Sequence, residues 1–168
     1  MKSSFQAKTA TILLCLGMLV SGCANFLKPE TGAVARPEAR IALPETRVEK
    51  QTFSEGDVKI IYSLSGAGDP FDLSGTLMFD RSLTDAFPVI ARFSLKMSFL
   101  DGQGRVIETI DVTPVFGAFG RTPEKRDFRV SRSAPPGTKA IAFNYFGEFR
   151  DNAHEHSDSW DIYYFPYD

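Results

Sequence analysis

Cysteine and histidine are scarce in this chain of 168 residues, which contains two of each. Cys15 and Cys23 both lie near the N-terminus, so the rest of the chain has no thiol for a disulfide, a thiolate metal site or a cysteine nucleophile. The two histidines share one short polar stretch. Metal sites and catalytic triads usually draw their side chains from several parts of a chain. With so few histidines and cysteines, and those so close together, enzymes that depend on such sites are disfavoured.

Other chemical signatures are missing as well. With 19 basic and 21 acidic residues, the net charge is −2, which gives no sign of nucleic-acid binding. No Gly-rich phosphate loop follows a strand pattern, no two carboxylates form a recognisable catalytic pair, and no segment has a long helical period. The sequence therefore predicts no catalytic, cofactor-binding or metal-binding residue, and we expect a protein that is not an enzyme.

The apolar run at the N-terminus is short. Lys2 and Lys8 come before an uncharged stretch over residues 9–20. That stretch has about 12 residues, whereas a membrane-spanning helix needs roughly 20. Small residues at positions 21 and 22 then lead to Cys23. A positive region, a short apolar region and small residues in this order predict a cleaved secretory signal over residues 1–22.

The end of this signal resembles that of bacterial lipoproteins, with Val20, Ser21, Gly22 and Cys23 in the last four positions. The resemblance covers only the first 23 residues. It implies cleavage before Cys23 and acylation of that residue, including palmitate, which would anchor the protein to a membrane. Ala24, where an inner-membrane lipoprotein would have Asp, implies the periplasmic face of the outer membrane. An ordinary signal followed by a chance cysteine is the alternative.

Cleavage would remove 22 of the 168 residues and leave 146, enough for one domain with a core. Residues 23–54 are predicted to be a tether, because Pro29, Pro37 and Pro44 each precede a glutamate. Proline interrupts regular structure, and the charges keep such a segment solvated. The sequence leaves open whether residues 40–43 or 47–53 instead add an edge strand.

Residues 55–168 show the period of two that is typical of β-strands. The clearest strand covers residues 89–100, with Phe93, Leu95, Met97 and Phe99 on one face. Its other face, with Arg92, Ser94, Lys96 and Ser98, is predicted to lie in water. Two glycines in residues 101–104 predict a turn to a partner strand over residues 105–112. Further strands are predicted at 58–64, 73–79, 126–132, 138–149 and 160–166, and a helical turn at 82–86.

Seven or eight short strands with frequent turns predict an all-β fold, an antiparallel immunoglobulin-like β-sandwich. A closed barrel is the alternative. The strand spacing together with the lipoprotein signal loosely resembles uncharacterised bacterial lipoproteins with an immunoglobulin-like β-sandwich domain. The cysteine pair of antibody domains is absent.

The polar stretch over residues 151–158 contains both His154 and His156. In an extended segment these imidazoles point to the same side, which suggests a Zn, Cu or Ni site. A triad of Ser157, His154 and Asp161 is a second hypothesis, but neighbours on one loop rarely reach the required orientation. A metal at this stretch could take oxygen ligands from Asp151, Glu155 or Asp158. The preferred interpretation of the stretch is nevertheless a solvated loop.

Two more groups stand out. A basic group in residues 121–132 suggests the wet face of an edge strand, with an anionic partner such as lipid headgroups as the alternative. Aromatic residues are dense over residues 143–167, where core packing is preferred to a carbohydrate or peptide groove. However, Tyr163, Tyr164 and Phe165 are apolar on both faces of one strand, so one face must be covered or must bind something. The basic group consists of Arg121, Lys125, Arg126, Arg129 and Arg132.

Together, these features predict a lipoprotein of the bacterial cell envelope, anchored through Cys23. Its folded part is expected to be a non-enzymatic interaction or assembly module, with the membrane and another envelope protein as partners and no nucleic acid. A small-ligand or metal-binding lipoprotein is the alternative.

Overall fold

The computed structural model describes residues 28–65, 70–116, 121–154 and 157–168. These residues form nine strands, one short α-helix, α1 (Arg81–Ala86), and a single 3-10 turn at Pro37–Ala39. The predicted all-β class is confirmed, with nine strands instead of seven or eight. The strands are β1 (Ile41–Ala42), β2 (Val48–Glu55), β3 (Val58–Leu64), β4 (Phe71–Phe79), β5 (Val89–Leu100), β6 (Val106–Asp111), β7 (Lys125–Arg132), β8 (Ala140–Arg150) and β9 (Ser159–Tyr164).

The strands form two antiparallel sheets that pack face to face. Sheet I has the order β6-β5-β8, and both β1 and β9 pair with the far edge of β8. Sheet II has the order β2-β3-β4-β7. The long pairing of β5 with β8 runs from Val89 opposite Arg150 to Leu100 opposite Ala140, so it fixes the two ends of the sandwich.

The core lies where the two inner faces meet, because alternate residues of each strand point inward. Leu95, Met97 and Phe99 are fully buried, as predicted for β5. The Phe99 ring meets Phe71 of sheet II edge to face, with ring centroids 5.1 Å apart. Phe93 was predicted to be buried with them but is only half-buried. It lies near the end of β5, beyond a β-bulge between residues 90 and 92.

The outer face of β5 differs from the prediction at one end. Ser98 was expected in water but is fully buried. The C-terminal segment crosses the outer face of sheet I, and the Tyr167 hydroxyl donates to Ser98 Oγ at 2.9 Å. Ser98 Oγ in turn lies 2.8 Å from Thr109 Oγ1. Six residues form a second, smaller core here: Ala35, Leu100, Val106, Ala140, Ala142 and Tyr167.

The prediction of a tether over residues 23–54 is wrong for much of its length. Residues 32–36, which we call the N-terminal clamp, lie between the start of β6 and the C-terminal segment. Gly32 N donates to Val106 O at 2.8 Å, Ala35 N to Gly104 O at 2.9 Å, and Arg36 N to Pro166 O at 2.8 Å. β1 and β2 follow, so the alternative of added edge strands is the observed one. Proline fits here because Pro37 opens the 3-10 turn, where no N–H is needed.

Tyr167 provides a test of this second core. Burial raises the pKa of Tyr167 to about 12, against the effect of its hydrogen bond to Ser98. The folded state therefore disfavours the phenolate, and the free energy of unfolding should fall as pH rises from about 10 to about 12. We expect Tyr167→Phe to remove that part of the decline, measured as the difference in urea stability between variant and wild type from pH 9 to 12. An identical decline in both proteins would contradict the burial of this hydroxyl.

Candidate functional site

Strand β9 and the residue after it carry three large apolar side chains that are exposed in the described part of the chain. Trp160 is 54% exposed, Tyr163 76% and Phe165 37%. β9 pairs with β8 on one side, and no strand of the described residues pairs with its other side. The exposed rings lie on both faces of the strand, Trp160 on the face of the buried Ile162 and Tyr163 on the opposite face. We call this strip of chain, with Trp160, Tyr163 and Phe165, the β9 edge.

The register of β8 with β9 decides which aromatic residues reach this strip. Tyr145 lies opposite Tyr164, and both turn toward the core, where their rings stack at 6.0 Å. Tyr163 lies opposite Phe146 on the outer face. The predicted dense group of aromatics is thus divided: most of its rings are buried or half-buried, as preferred, but Trp160, Tyr163 and Phe165 are not.

Trp160 is held in place at the end of the strip. Its indole stacks on Phe87, which follows helix α1, with ring centroids 6.1 Å apart and planes 24° apart. The helix itself begins at the N-cap Asp80, whose carboxylate accepts from Ser82 N at 2.8 Å. The Ser82 hydroxyl also donates to this carboxylate, at 2.6 Å, and the hydroxyl and backbone hydrogen bonds together lower the pKa of Asp80. A local helix therefore fixes the orientation of an otherwise exposed indole.

Charged side chains beside the β9 edge are paired with one another. Glu148 accepts from Arg150 at 2.8 Å and from Arg92 at 2.9 Å. Hydrogen bonding, first from Arg150 and also from Arg92, lowers the pKa of Glu148. The Arg92 guanidinium also lies 5.4 Å from the centre of the Phe146 ring. A carboxylate held ionised by two arginines is a poor general base, so this cluster orders the surface.

The polar loop between β8 and β9 is an exposed turn in its described part. His154 N donates to Asn152 Oδ1 at 2.8 Å, and Ser157 N donates to His154 O at 3.2 Å. Ser157 Oγ has no hydrogen-bond partner among the described residues. The hypothetical triad therefore has no Ser–His hydrogen bond in this arrangement. His156 and Glu155, which the metal hypothesis needs, lie outside the described residues, and no cluster of three potential metal ligands occurs within them.

The basic group lies mainly on β7, the edge strand of sheet II, and several of its members are paired. Arg132 makes a bidentate pair with Glu108 of β6, at 2.9 and 3.1 Å. Arg129 lies 3.8 Å from Asp72 of β4. The backbone of Arg121 instead forms an isolated antiparallel β-bridge with that of Val89. Charges on an edge strand hinder pairing with another chain.

A shallow groove of about 510 Å³ lies on the outer face of sheet II. Its lining mixes hydroxyl and charged side chains, and the Thr76 hydroxyl donates to Asp127 Oδ1 at 2.6 Å. Lys50 adopts a left-handed backbone, φ 57°, at an irregularity of β2 beside this groove. The groove was not predicted from the sequence, although Ile61, an apolar residue at an outward position of β3, was a signal for it. The lining side chains include Lys50, Ile61, Ser63, Ser74, Thr76, Asp127 and Arg129.

The predicted lipidation residue, Cys23, lies outside the described residues. Within the described part of the chain, no helix has the length and apolar character needed to cross a bilayer. In comparisons with known proteins, no family model, no curated protein and no solved structure matches this chain.

Proposed function

We propose that this protein is a lipoprotein of the bacterial envelope, anchored through Cys23, whose sandwich binds another envelope protein without catalysis. The observation that carries the proposal is the β9 edge, where Trp160 and Tyr163 are exposed on a strand with a free side. The occupant is an extended segment of the partner, added to sheet I as a further strand.

The edge strands of the two sheets differ in their charged residues, and this difference supports a binding role for β9. Five of the eight residues of β7 are charged, the usual protection of an edge against unwanted pairing. β9 has one charged residue, Asp161, in its sequence Ser-Trp-Asp-Ile-Tyr-Tyr. An edge kept apolar on a protein that protects another edge is suited to strand addition.

The chemistry of the exposed residues fits an interface. Backbone hydrogen bonds provide affinity in strand addition, and side chains provide specificity. Tyrosine and tryptophan are enriched among the residues whose truncation weakens protein complexes most. Because Phe87 already stacks on Trp160, that indole loses little conformational freedom when a partner binds.

The strand order supports an immunoglobulin-like topology for the sandwich. Counted along the chain, β3, β4 and β7 take the positions of strands A, B and E in one sheet. β6, β5, β8 and β9 take those of C′, C, F and G in the other. β1 and β2 are then additions. On this assignment β9 is strand G, an edge strand.

A photo-crosslinking residue at position 163 tests the proposal in cells. We expect a discrete adduct with one envelope protein, because Tyr163 projects from the β9 edge. With that partner purified, Tyr163→Ala should weaken binding at least about tenfold, the effect of losing roughly 1.4 kcal/mol. Its melting temperature should stay near that of the wild type, because the side chain is mostly exposed.

The matched control is Val115, an apolar residue that is 89% exposed on a different part of the chain. Crosslinking from position 115 should give no such adduct, and Val115→Ala should leave binding unchanged. Equal adducts from both positions, or a partner affinity that does not depend on Tyr163, would rule out the β9 edge as the binding surface.

The groove on sheet II favours a second candidate function, the binding of a small polar ligand. Its hydroxyl, Asp127 and Arg129 groups could hydrogen-bond a hydroxylated or charged molecule. A screen of such ligands by thermal shift tests this candidate. A ligand whose stabilising effect disappears in Thr76→Val, which removes the hydroxyl that bonds to Asp127, would favour it over the interaction module.

A further inference from the structure

The N-terminal clamp ties the chain to one particular end of the sandwich. Gly32 and Ala35 bond to Val106 and Gly104, which lie at the turn between β5 and β6. Arg40 closes over this turn, donating to Ala35 O at 2.8 and 2.7 Å. We call the part of the molecule around residues 101–105 the hairpin end. Any attachment at the N-terminus is therefore connected, through the clamp, to the hairpin end.

Few residues separate this clamp from the proposed anchor. Pro29, just before the clamp, is already buried in the structure, so only residues 24–28, five positions, lie between it and Cys23. Even fully extended, the six steps from Cys23 to Pro29 span about 20–22 Å at most. A tether that ran to residue 54 would have been several times longer, and it would have let the domain take any orientation.

The sandwich is longer than this link. Leu100, at the hairpin end, and Ile90, near the other end, are ten residues apart on β5. At about 3.3 Å per residue, they are separated by about 33 Å. Trp160 lies opposite Phe149, which lies opposite Ile90, so the indole marks the far end.

We propose that the hairpin end faces the headgroups of the bilayer that holds Cys23, while the end with Trp160 and helix α1 points away; this rests on the lipid anchor of the proposed function. With the molecule inverted, the clamp would lie about 33 Å above the membrane, beyond the reach of the link.

The charges of the hairpin end agree with this orientation but do not enforce it. Lys28, Arg105 and Lys139 are exposed there, and none forms an ion pair with another described residue. Basic side chains close to an anionic membrane are attracted to its headgroups. Glu30 and Asp101 lie in the same region and offset part of this. The short link is therefore the main orienting element.

Orientation limits how the partner reaches the protein. β9 runs from the far end toward the clamp, so Ser159 and Trp160 at its start are its most membrane-distant residues. A partner strand that adds to β9 must stand upright on the membrane, alongside sheet I. This fits a segment of an envelope protein that rises from the same bilayer.

The single tryptophan of the chain makes the orientation measurable. The full-length lipidated protein is placed on vesicles of phosphatidylethanolamine and phosphatidylglycerol that carry a dansyl group on some headgroups. Energy transfer from Trp160 to dansyl is compared with transfer in the double variant Trp160→Phe, Gln103→Trp. Gln103 is exposed in the turn of the hairpin end, so the variant moves the indole there. We expect several-fold more transfer from position 103 than from position 160.

A second pair of proteins tests the role of the link. Twenty Gly and Ser residues are inserted between Asn25 and Phe26 in both proteins. We expect the difference between the two positions to shrink, because a long link lets either end approach the membrane. Equal transfer without the insertion, or an unchanged difference with it, would overturn the inference.

The experiment gives different results when the lipid anchor is absent and when only the proposed orientation is wrong. If Cys23 carries no lipid, the full-length protein does not float with the vesicles, and neither tryptophan transfers energy. That result would reject the proposed function together with this inference. Protein that floats but transfers equally from both positions would reject the orientation alone.

Discussion

Replacement of Phe99 by alanine is expected to lower the free energy of unfolding by about 3–5 kcal/mol, the cost of removing a fully buried phenylalanine. Phe99 is 0% exposed and packs on Phe71 of the opposite sheet. The Arg132 guanidinium, which is paired with Glu108, lies 5.8 Å from the centre of the Phe99 ring. These neighbours belong to three different strands, so the cavity cannot close by a shift of one side chain. Urea denaturation of the purified protein measures the loss.

Phe93 is the matched control for this experiment. It lies on the same strand and the same face, but it is only half-buried and is surrounded by Phe79, Phe116 and Tyr145. Phe93→Ala should therefore cost clearly less than Phe99→Ala. Losses of the same size at both positions would mean that the end of the sandwich near Phe93 is as tightly packed as its centre.

Cys23→Ser should abolish membrane attachment. A serine cannot form the thioether through which a lipoprotein signal is processed, so the protein should remain an uncleaved precursor or become soluble. Metabolic labelling with palmitate and fractionation of the envelope measure the outcome, and we expect complete loss of label. Cys15→Ser is the matched control, since Cys15 lies in the apolar part of the predicted signal and its replacement should not affect labelling. A Cys23→Ser protein that still takes up palmitate would disprove the anchor.

The inner faces of the strands could be predicted because their signal is local. β5 extends from Val89 to Leu100 as predicted, since the alternation of apolar and polar residues follows directly from the period of an extended chain. Helix α1 was recognisable for a similar reason, since Asp80 caps it within two residues. Most of the core of sheets I and II follows from such patterns.

The clamp and β2 were not predictable in this way. β2 is a largely exposed edge strand with few apolar residues, so it lacks a clear period. The clamp is held by backbone hydrogen bonds to Val106, Gly104 and Pro166, which any sequence with the right conformation can make. Prolines and glutamates in this segment therefore suggested a tether although the chain is folded there.

The same distinction, between features that depend on neighbours in the chain and features that depend on distant segments, applies to the candidate site. The sequence determined an all-β sandwich and its main core residues, and it predicts a lipoprotein-like signal ending at Cys23, because each depends on neighbours in the chain. Only the tertiary structure decided that Ser98 is buried beneath Tyr167, 69 residues away, and that Trp160 and Tyr163 remain exposed. Ser98, Trp160 and Tyr163 are polar or aromatic residues whose side chains are compatible with burial and with exposure to water. What settles their burial is which distant segment lies over them, and that depends on the packing of the whole chain.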